Sequence, residues 1–370
     1  MKILIVGAGF SGATFAYLAS NAGIKCHLID KRDHIGGNCF SYEDKESGIE
    51  IHKYGPHIFH TSSKMVWNFI NNFSPFNNYI NRVKACYNNC IYSFPINLHT
   101  INQFYNKAFN PVEAMYFIEK KRIKREPIKN FEDYIVNYIG IELFEAFYKY
   151  YTIKQWKVEP REIPISTAKR LPIRLNYNDN YYNDTYQGIP LDGYTKIFER
   201  MLKNKNIDLS LNTNFEEFRN IWKKKYNFLI FTGSIDEYFK YEFGVLPYIK
   251  VKFKKIKGKD IQGNAVINYT DMSYKFTRIH EHKWFKPSKK YNISIGFEEY
   301  SEIANSKNYP FYPIINANSK KILKSYKKNA IEEKDVIFLG RLAEFKYMDM
   351  HQVIENCIKK FNEWINNQYI

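Results

Sequence analysis

Six residues near the amino terminus hold the most specific chemistry in the chain. Gly7-Ala8-Gly9-Phe10-Ser11-Gly12 spells G-x-G-x-x-G, after the apolar run Lys2 to Val6 and before helical apolar spacing that reaches about Asn21. Gly7 permits a tight turn, Gly9 lets a pyrophosphate approach bare backbone, and Gly12 lets helix and strand pack closely. Unpaired N–H groups at the start of that helix attract phosphate oxygens. A second apolar run, Lys25 to Asp30, ends in an acid placed to accept hydrogen bonds from ribose hydroxyls. The chemistry is therefore the grip of a dinucleotide by its diphosphate. No side-chain triad or metal cluster stands out elsewhere. The five cysteines (Cys26, Cys39, Cys86, Cys90, Cys357) are odd in number and form no C-x-x-C pair. That pattern argues against a disulfide framework and a zinc site, and makes reduced cytoplasm the simplest setting.

The elements that must position this turn follow from periodicity. Lys2 to Val6 reads as a strand buried on both faces, and with Lys25 to Asp30 it forms a β-turn-α-β unit that starts a parallel sheet. Ser62 to Phe73 is helical, Tyr79 to Ile96 alternates like a hairpin, and Asn97 to Tyr151 reads as short helices divided by Pro111 and Pro127. Residues 160 to 190 show little periodicity. Gly193 to Lys203 is helical, Asn227 to Thr232 is a buried strand, and 245 to 298 reads as β. A strand at Asp335 to Leu339 and a helix from Met348 onward close the chain.

At 370 residues the chain suits two or three domains. Its start superficially resembles a signal peptide, but three glycines interrupt the apolar run and the charged region before it is one lysine. No other stretch approaches the roughly 18 apolar residues of a membrane span. A net charge of +17 favours polyanionic partners, yet the charge is dispersed, and no helix-turn-helix or RNP-like motif supports nucleic-acid binding. The densest clusters, Lys120 to Arg125 and Lys250 to Lys259, read as solvated faces of a helix and a strand.

The segment Asp30 to Asn38 reads D-K-x-x-x-x-G-G-x and resembles the FAD-binding segment of amine-oxidase-like flavoproteins, as Gly340-Arg341 resembles their returning segment. Five further motifs narrow the resemblance. GPHIFHT (Gly55 to Thr61), YTIKQW (Tyr151 to Trp156), PLDGYT (Pro190 to Thr195), FTRIHEHK (Phe276 to Lys283) and GRLAEFKYMDM (Gly340 to Met350) look like the bacterial UDP-galactopyranose mutases, in order and over nearly the whole chain. Phe345, and Met348 in YMDM where YYDM is more familiar, are departures that remove no residue with proposed chemistry.

The resemblance implies an α/β fold: a Rossmann-type FAD domain with an inserted helical domain and an antiparallel-sheet substrate domain. The expected boundaries are 1–77, 192–243 and 313–370 for the FAD domain, 97–155 for the helices, and 78–96, 156–191 and 244–312 for the sheet with a mobile loop. It implies cofactor contacts from Gly7, Gly9, Phe10, Ser11, Gly12, Asp30, Lys31, Gly36, Gly37, Asn38, His57, His60, Gly340, Arg341, Asp349 and Met350. It implies substrate contacts from Tyr151, Thr152, Trp156, Tyr181, Tyr312, Tyr347 and Asp349, and catalytic parts for Arg170, Arg278 and His60.

The implied reaction interconverts UDP-galactopyranose and UDP-galactofuranose, with N5 of reduced FAD attacking the anomeric carbon, to supply furanose for cell-surface polysaccharide. A homodimer without a membrane span is expected. A departing pyrophosphate needs planar, permanently charged partners, which Arg170 and Arg278 provide. Alternatives stay open. UDP-N-acetylgalactosamine is a rival substrate, and an amine-oxidase-like FAD oxidoreductase or a basic nucleic-acid-binding protein is a rival function. Arg170 also reads as a surface residue, Arg278 as a sheet-face ion pair, the tyrosines as packing, Trp156 as a staple of the helices, and His60 as a turn residue. His280 and His282 read as structural.

Overall fold

The computed structural model describes residues 1–304 and 310–368, so the ends of two expected domain ranges, at 305–309 and 369–370, lie outside it. Apolar runs too short to cross anything but a core become a five-stranded parallel sheet. Its order is Val336–Phe338, Phe228–Phe231, Lys2–Val6, Lys25–Ile29, Ile207–Ser210. Lys2–Val6 is thus central, and Ile3, Leu4 and Ile5 are fully buried. The glycine turn leaves its carboxyl end and enters the helix Phe10–Asn21. Gly7 takes φ +100°, where a side chain is strained, and a Cβ on Gly12 would stand 1.9 Å from the Gly7 carbonyl oxygen. Helix and strand can approach this closely only without that carbon. The helix Met350–Asn366 covers the same face, seating Phe361 and Trp364 against Phe15.

A second sheet has seven strands, in the order Tyr312–Pro313, Tyr248–Gly258, Ser294–Ile303, Arg278–Glu281, Val266–Tyr269, Val83–Tyr87, Cys90–Phe94. It is antiparallel except where Val266–Tyr269 runs parallel to Val83–Tyr87. The helices Leu98–Tyr105, Pro111–Lys121, Phe131–Phe144 and Tyr150–Trp156 pack beside it. Ile135 and Ile139 before the kink at Gly140, and Leu143 and Phe147 after it, are buried together with Ile101, Ala114 and Ile118.

Three differences from the sequence reading have physical causes. Only Lys120 and Lys121 of the KKRIKR run lie on a helix. Arg122 folds back to Glu119 and Arg125 to Glu132 and Asp133, so the run is a cross-tied loop, not a solvated helix face. The expected strand through Trp284 stops at Glu281 and turns into a 3-10 helix at His282–Phe285. The last helix starts at Met350, because Asp349 caps it. The lysines of Tyr248–Gly258 lie on both faces of the strand, Lys252 and Lys254 paired with Glu302 and Glu298 on one and Lys255 and Lys257 with Asp44 and Glu46 on the other.

The aperiodic stretch after Trp156 is tied to the frame at several points. Phe131 N–H donates to the Ile163 carbonyl, Arg174 N–H to Ile96, Leu98 N–H to Asn176, and Tyr181 N–H to Asn81. Between those ties, Arg170 follows the short helix Ile165–Ala168.

Candidate functional site

The main cleft opens over the carboxyl ends of the parallel strands, where ligands of open α/β sheets bind. Gly7, Gly9, Phe10, Ser11, Asp30, Lys31, Gly36, Gly37, Asn38, His57, Arg341 and Met350 line it. Gly12, His60, Gly340 and Asp349, expected as cofactor contacts, do not line it. Gly12 and Gly340 stand behind it, packed on Gly7 and Ser11. Asp30 is buried, and its carboxylate accepts the Ala8 N–H at 2.7 Å, so the acid also braces the glycine turn. Lys31 pairs with Glu237 at 3.7 Å, across the cleft wall.

Sequence reasoning missed the wall formed by Thr213, Asn214, Phe215 and Glu216. Its signal is topological: Ile207–Ser210 lies beside Lys25–Ile29, so the chain after it meets Asp30, whose carbonyl accepts the Thr213 N–H at 2.9 Å.

The residues expected to meet a substrate gather on the facing elements. Arg278 stands in the second sheet opposite Glu299, and its Nε donates to Glu299 Oε2 at 2.7 Å. Burial works against the guanidinium charge, and the Glu299 carboxylate overrides it. Arg170 Nη2 donates to both carboxylate oxygens of Asp349, at 2.7 and 2.9 Å, and its guanidinium lies 4.1 Å over the Tyr347 ring. Tyr347, Tyr312 and Trp156 form one aromatic cluster, with centroids 5.0 Å apart for Trp156 and Tyr312 and 5.9 Å for the other two pairs. Burial raises the Tyr181 phenol, while the Arg278 and Arg170 charges act in the opposite direction. Burial likewise raises Tyr151 and Tyr312, which keeps both as neutral hydroxyl donors. Thr152 is buried in the same helix as Tyr151.

That helix is anchored by a residue no spacing reveals. Lys154 is buried, and its ammonium donates to the carbonyls of Tyr269, Asp271, Tyr274 and Phe276 at 2.7, 2.7, 3.0 and 3.1 Å. Burial brings its pKa down to about 8. The bond set ties Tyr151 and Trp156 to the chain that runs into Arg278.

His57 lines the cleft half-buried, and three further imidazoles, His52, His280 and His282, lie buried below it. His57 Nδ1 donates to the Gly55 carbonyl at 2.7 Å, and its N–H donates to His52 Nδ1 at 3.1 Å. The His52 N–H donates to His282 Nδ1, also at 3.1 Å, and His280 Nδ1 lies 2.8 Å from His282 Nε2. One of these two facing nitrogens donates to the other, and His280 Nε2 has no partner among the described residues. Burial holds His57 down to about 4, against the Gly55 carbonyl, and His282 down to about 3, against the Glu50 carbonyl. His52 and His280 are pushed well below the ordinary value by burial and by neighbouring histidines. His280 and His282 are structural, as the sequence suggested. His60 lies in the strand Phe59–Thr61, not in a turn. Among the described residues no helix is long and apolar enough to cross a membrane.

A glycine turn over a parallel sheet, with paired arginines and tyrosines on the facing elements, defines a Rossmann-like nucleotide-binding enzyme. Comparison with known proteins narrows the class. The family model of UDP-galactopyranose mutase matches residues 146–347, and that of the NAD(P)-binding Rossmann-like domain matches residues 5–73. A dTDP-fucopyranose mutase of Escherichia coli is 41% identical, covering 99% of each chain. A probable UDP-galactopyranose mutase of Klebsiella pneumoniae is 41% identical over 99% of this chain and 95% of its own. The UDP-galactopyranose mutase of Mycoplasma genitalium is 31% identical over 98% of this chain and 95% of its own. The chain belongs to the UDP-galactopyranose mutase family, whose members are isomerases. Its fold matches a crystal structure of reduced UDP-galactopyranose mutase with TM-score 0.78 and 15% identity, over 99% of this chain and 95% of that one.

Proposed function

We propose that the protein binds FAD and interconverts UDP-galactopyranose and UDP-galactofuranose. The observation that carries the reading is the Arg170 guanidinium 4.1 Å over the Tyr347 ring, in the Tyr312–Tyr347–Trp156 cluster. Permanent cations beside neutral phenol hydroxyls suit a diphosphate that must leave a sugar and return to it. The cleft fits FAD: it runs from Asp30 and Phe215 past Gly9 and Gly37 to His57, Arg341 and Met350, a length of wall suited to a dinucleotide. When bound and reduced, FAD supplies N5 as a nucleophile toward the anomeric carbon.

The chain's own residues do the rest. Arg278, held by Glu299, stabilises negative charge on the leaving diphosphate. Arg170 exchanges Asp349 for the diphosphate as the segment after Trp156 shuts out water. Tyr151, Tyr181, Tyr312 and Tyr347 donate hydroxyl protons to phosphate oxygens, and His60 exchanges a proton with the sugar. We keep the three-part domain division given by the sequence, with the furanose product destined for cell-surface polysaccharide made from the cytoplasm. We also propose a homodimer, supported by exposed Val112, Met115 and Tyr116 on Pro111–Lys121. Sedimentation at micromolar concentration tests it, and a monomer there refutes it.

A second reading, favoured by the Escherichia coli relative, is the same chemistry on dTDP-fucopyranose. The deciding experiment is anaerobic conversion of UDP-galactofuranose and of dTDP-fucofuranose, each with and without dithionite. Conversion of the first only with reductant supports the proposal. Preference for the second transfers the proposal to the deoxysugar, and turnover of neither refutes both.

A further inference from the structure

His60 is held on several sides by groups that the sequence did not single out. Its strand pairs with Tyr186–Gly188, and Asp184 comes just ahead of that partner strand. The Asp184 carboxylate is used twice: Oδ2 lies 2.6 Å from His60 Nδ1, and Oδ1 accepts from Ser62 Oγ at 2.8 Å. Ser62 Oγ in turn accepts the Thr185 N–H at 3.4 Å, which closes the loop of bonds. Tyr182 lies flat on the imidazole, with centroids 3.6 Å apart and planes 8° from parallel. His351 meets the ring at 67°, with centroids 4.8 Å apart.

The bond to His60, above all, keeps the Asp184 carboxyl below the usual carboxylate range, so it is ionised at neutral pH and can only accept. Nδ1 must then carry the imidazole proton. The bond to Asp184 is also the ring's one hydrogen bond among the described residues, which leaves the Nε2 lone pair unused.

We propose that Asp184 is a positioning residue that locks His60 in the Nδ1–H tautomer, with Nε2 as the nitrogen that accepts a proton from a sugar hydroxyl and returns it. The proposal rests on the part assigned to His60 above. It has the logic of a base oriented by a carboxylate, here without a side-chain nucleophile. Ser62 and Tyr182 complete the clamp, one by fixing the carboxylate and the other by fixing the plane of the ring.

The test uses flavin-loaded full-length protein labelled with ¹⁵N-histidine, the His60 signals being assigned by their loss in His60→Gln. In the unmutated protein, Nδ1 should show the shift of a protonated nitrogen and Nε2 that of an unprotonated one. Asp184→Ala should mix or invert the two and lower kcat roughly tenfold or more with little change in KM. Asp184→Asn, whose amide oxygen still accepts from Nδ1, should keep the tautomer and restore most of the turnover. A proton on Nε2 in the unmutated protein, or unchanged shifts in Asp184→Ala, overturns the proposal. If Asp184→Ala does not fold, the unmutated shifts still decide. Unmutated turnover in His60→Gln would overturn the part given to His60, while the nitrogen shifts judge Asp184 separately.

Discussion

Acidification from pH 7 to pH 5 should remove much of the protein's stability, through the imidazoles in and below the cleft. His57 and His282 are held by burial at about 4 and about 3, and His52 and His280 also lie well below the ordinary value. In the unfolded chain each returns to about 6.5. A histidine whose folded pKa is depressed contributes fully above the unfolded value, and its contribution falls as pH drops, because only the unfolded chain takes up the proton. Between pH 7 and pH 5 this costs about 2 kcal/mol each for His57 and His282, and His52 and His280 act in the same direction. That is a large share of a whole domain's stability of about 5–15 kcal/mol.

His280→Phe isolates one imidazole. Phe253 and Phe297 already flank the site, with centroids 5.6 and 5.5 Å away, so a phenyl ring fits. At pH 7 the variant should lose about 1–3 kcal/mol, since the His280–His282 hydrogen bond is removed and His282 Nε2 is left without a partner. By pH 5 the gap should narrow, because only the unmutated protein carries the cost of keeping His280 neutral. Urea unfolding followed by tryptophan fluorescence, at constant excess FAD, measures both. A midpoint that is the same at pH 7 and pH 5 would refute the reasoning, as would a variant with the unmutated pH slope.

Other perturbations give separate outcomes. Arg278→Lys cannot keep both the Glu299 bond and a planar fork, and should lower kcat by about 2.7–4 kcal/mol of transition-state stabilisation, read by the anaerobic conversion assay. Gly12→Ala puts a Cβ 1.9 Å from the Gly7 carbonyl, and should abolish flavin absorbance in the purified protein while a surface control such as Lys359→Ala retains it. Lys154→Met strips four carbonyls of their donor, and should lower stability by about 3 kcal/mol or more, seen as a reduced Tm. UDP should slow proteolysis around Arg170, and equal cleavage rates with and without UDP would count against a closing segment.

The glycine turn and its flanking strands were legible because a buried parallel strand is an unbroken apolar run and the acid at Asp30 comes at the right distance. The facing arginines and tyrosines were legible only through collinear motifs, since 31 tyrosines make any single one uninformative. The helix Ala317–Glu332 went unread because lysines crowd its apolar positions Ile322, Leu323 and Tyr326, although Asn316 and Ser319 form a capping box ahead of it. The hairpin of Ser41–Glu43 with Glu50–His52 has strands too short to show alternation. Nothing local marks Lys154, Glu299 or Asp184. Each owes its place to strand register, which one sequence does not display.

The order of the parallel sheet also sets a timetable for synthesis. Lys2–Val6, which leaves the ribosome before the other four strands of the sheet, is the central one, and its neighbour Phe228–Phe231 arrives far later. The Lys2 N–H finds the Asn227 side chain 225 residues downstream. Until then one edge of this central, buried strand has no native partner. Nascent chains that stall before residue 227 should therefore carry an open, sticky edge and depend on chaperones. The cleft itself cannot close before the strand Val336–Phe338 and the arginine after it have emerged, so a ligand that needs the whole cleft wall can be captured only after that point in synthesis.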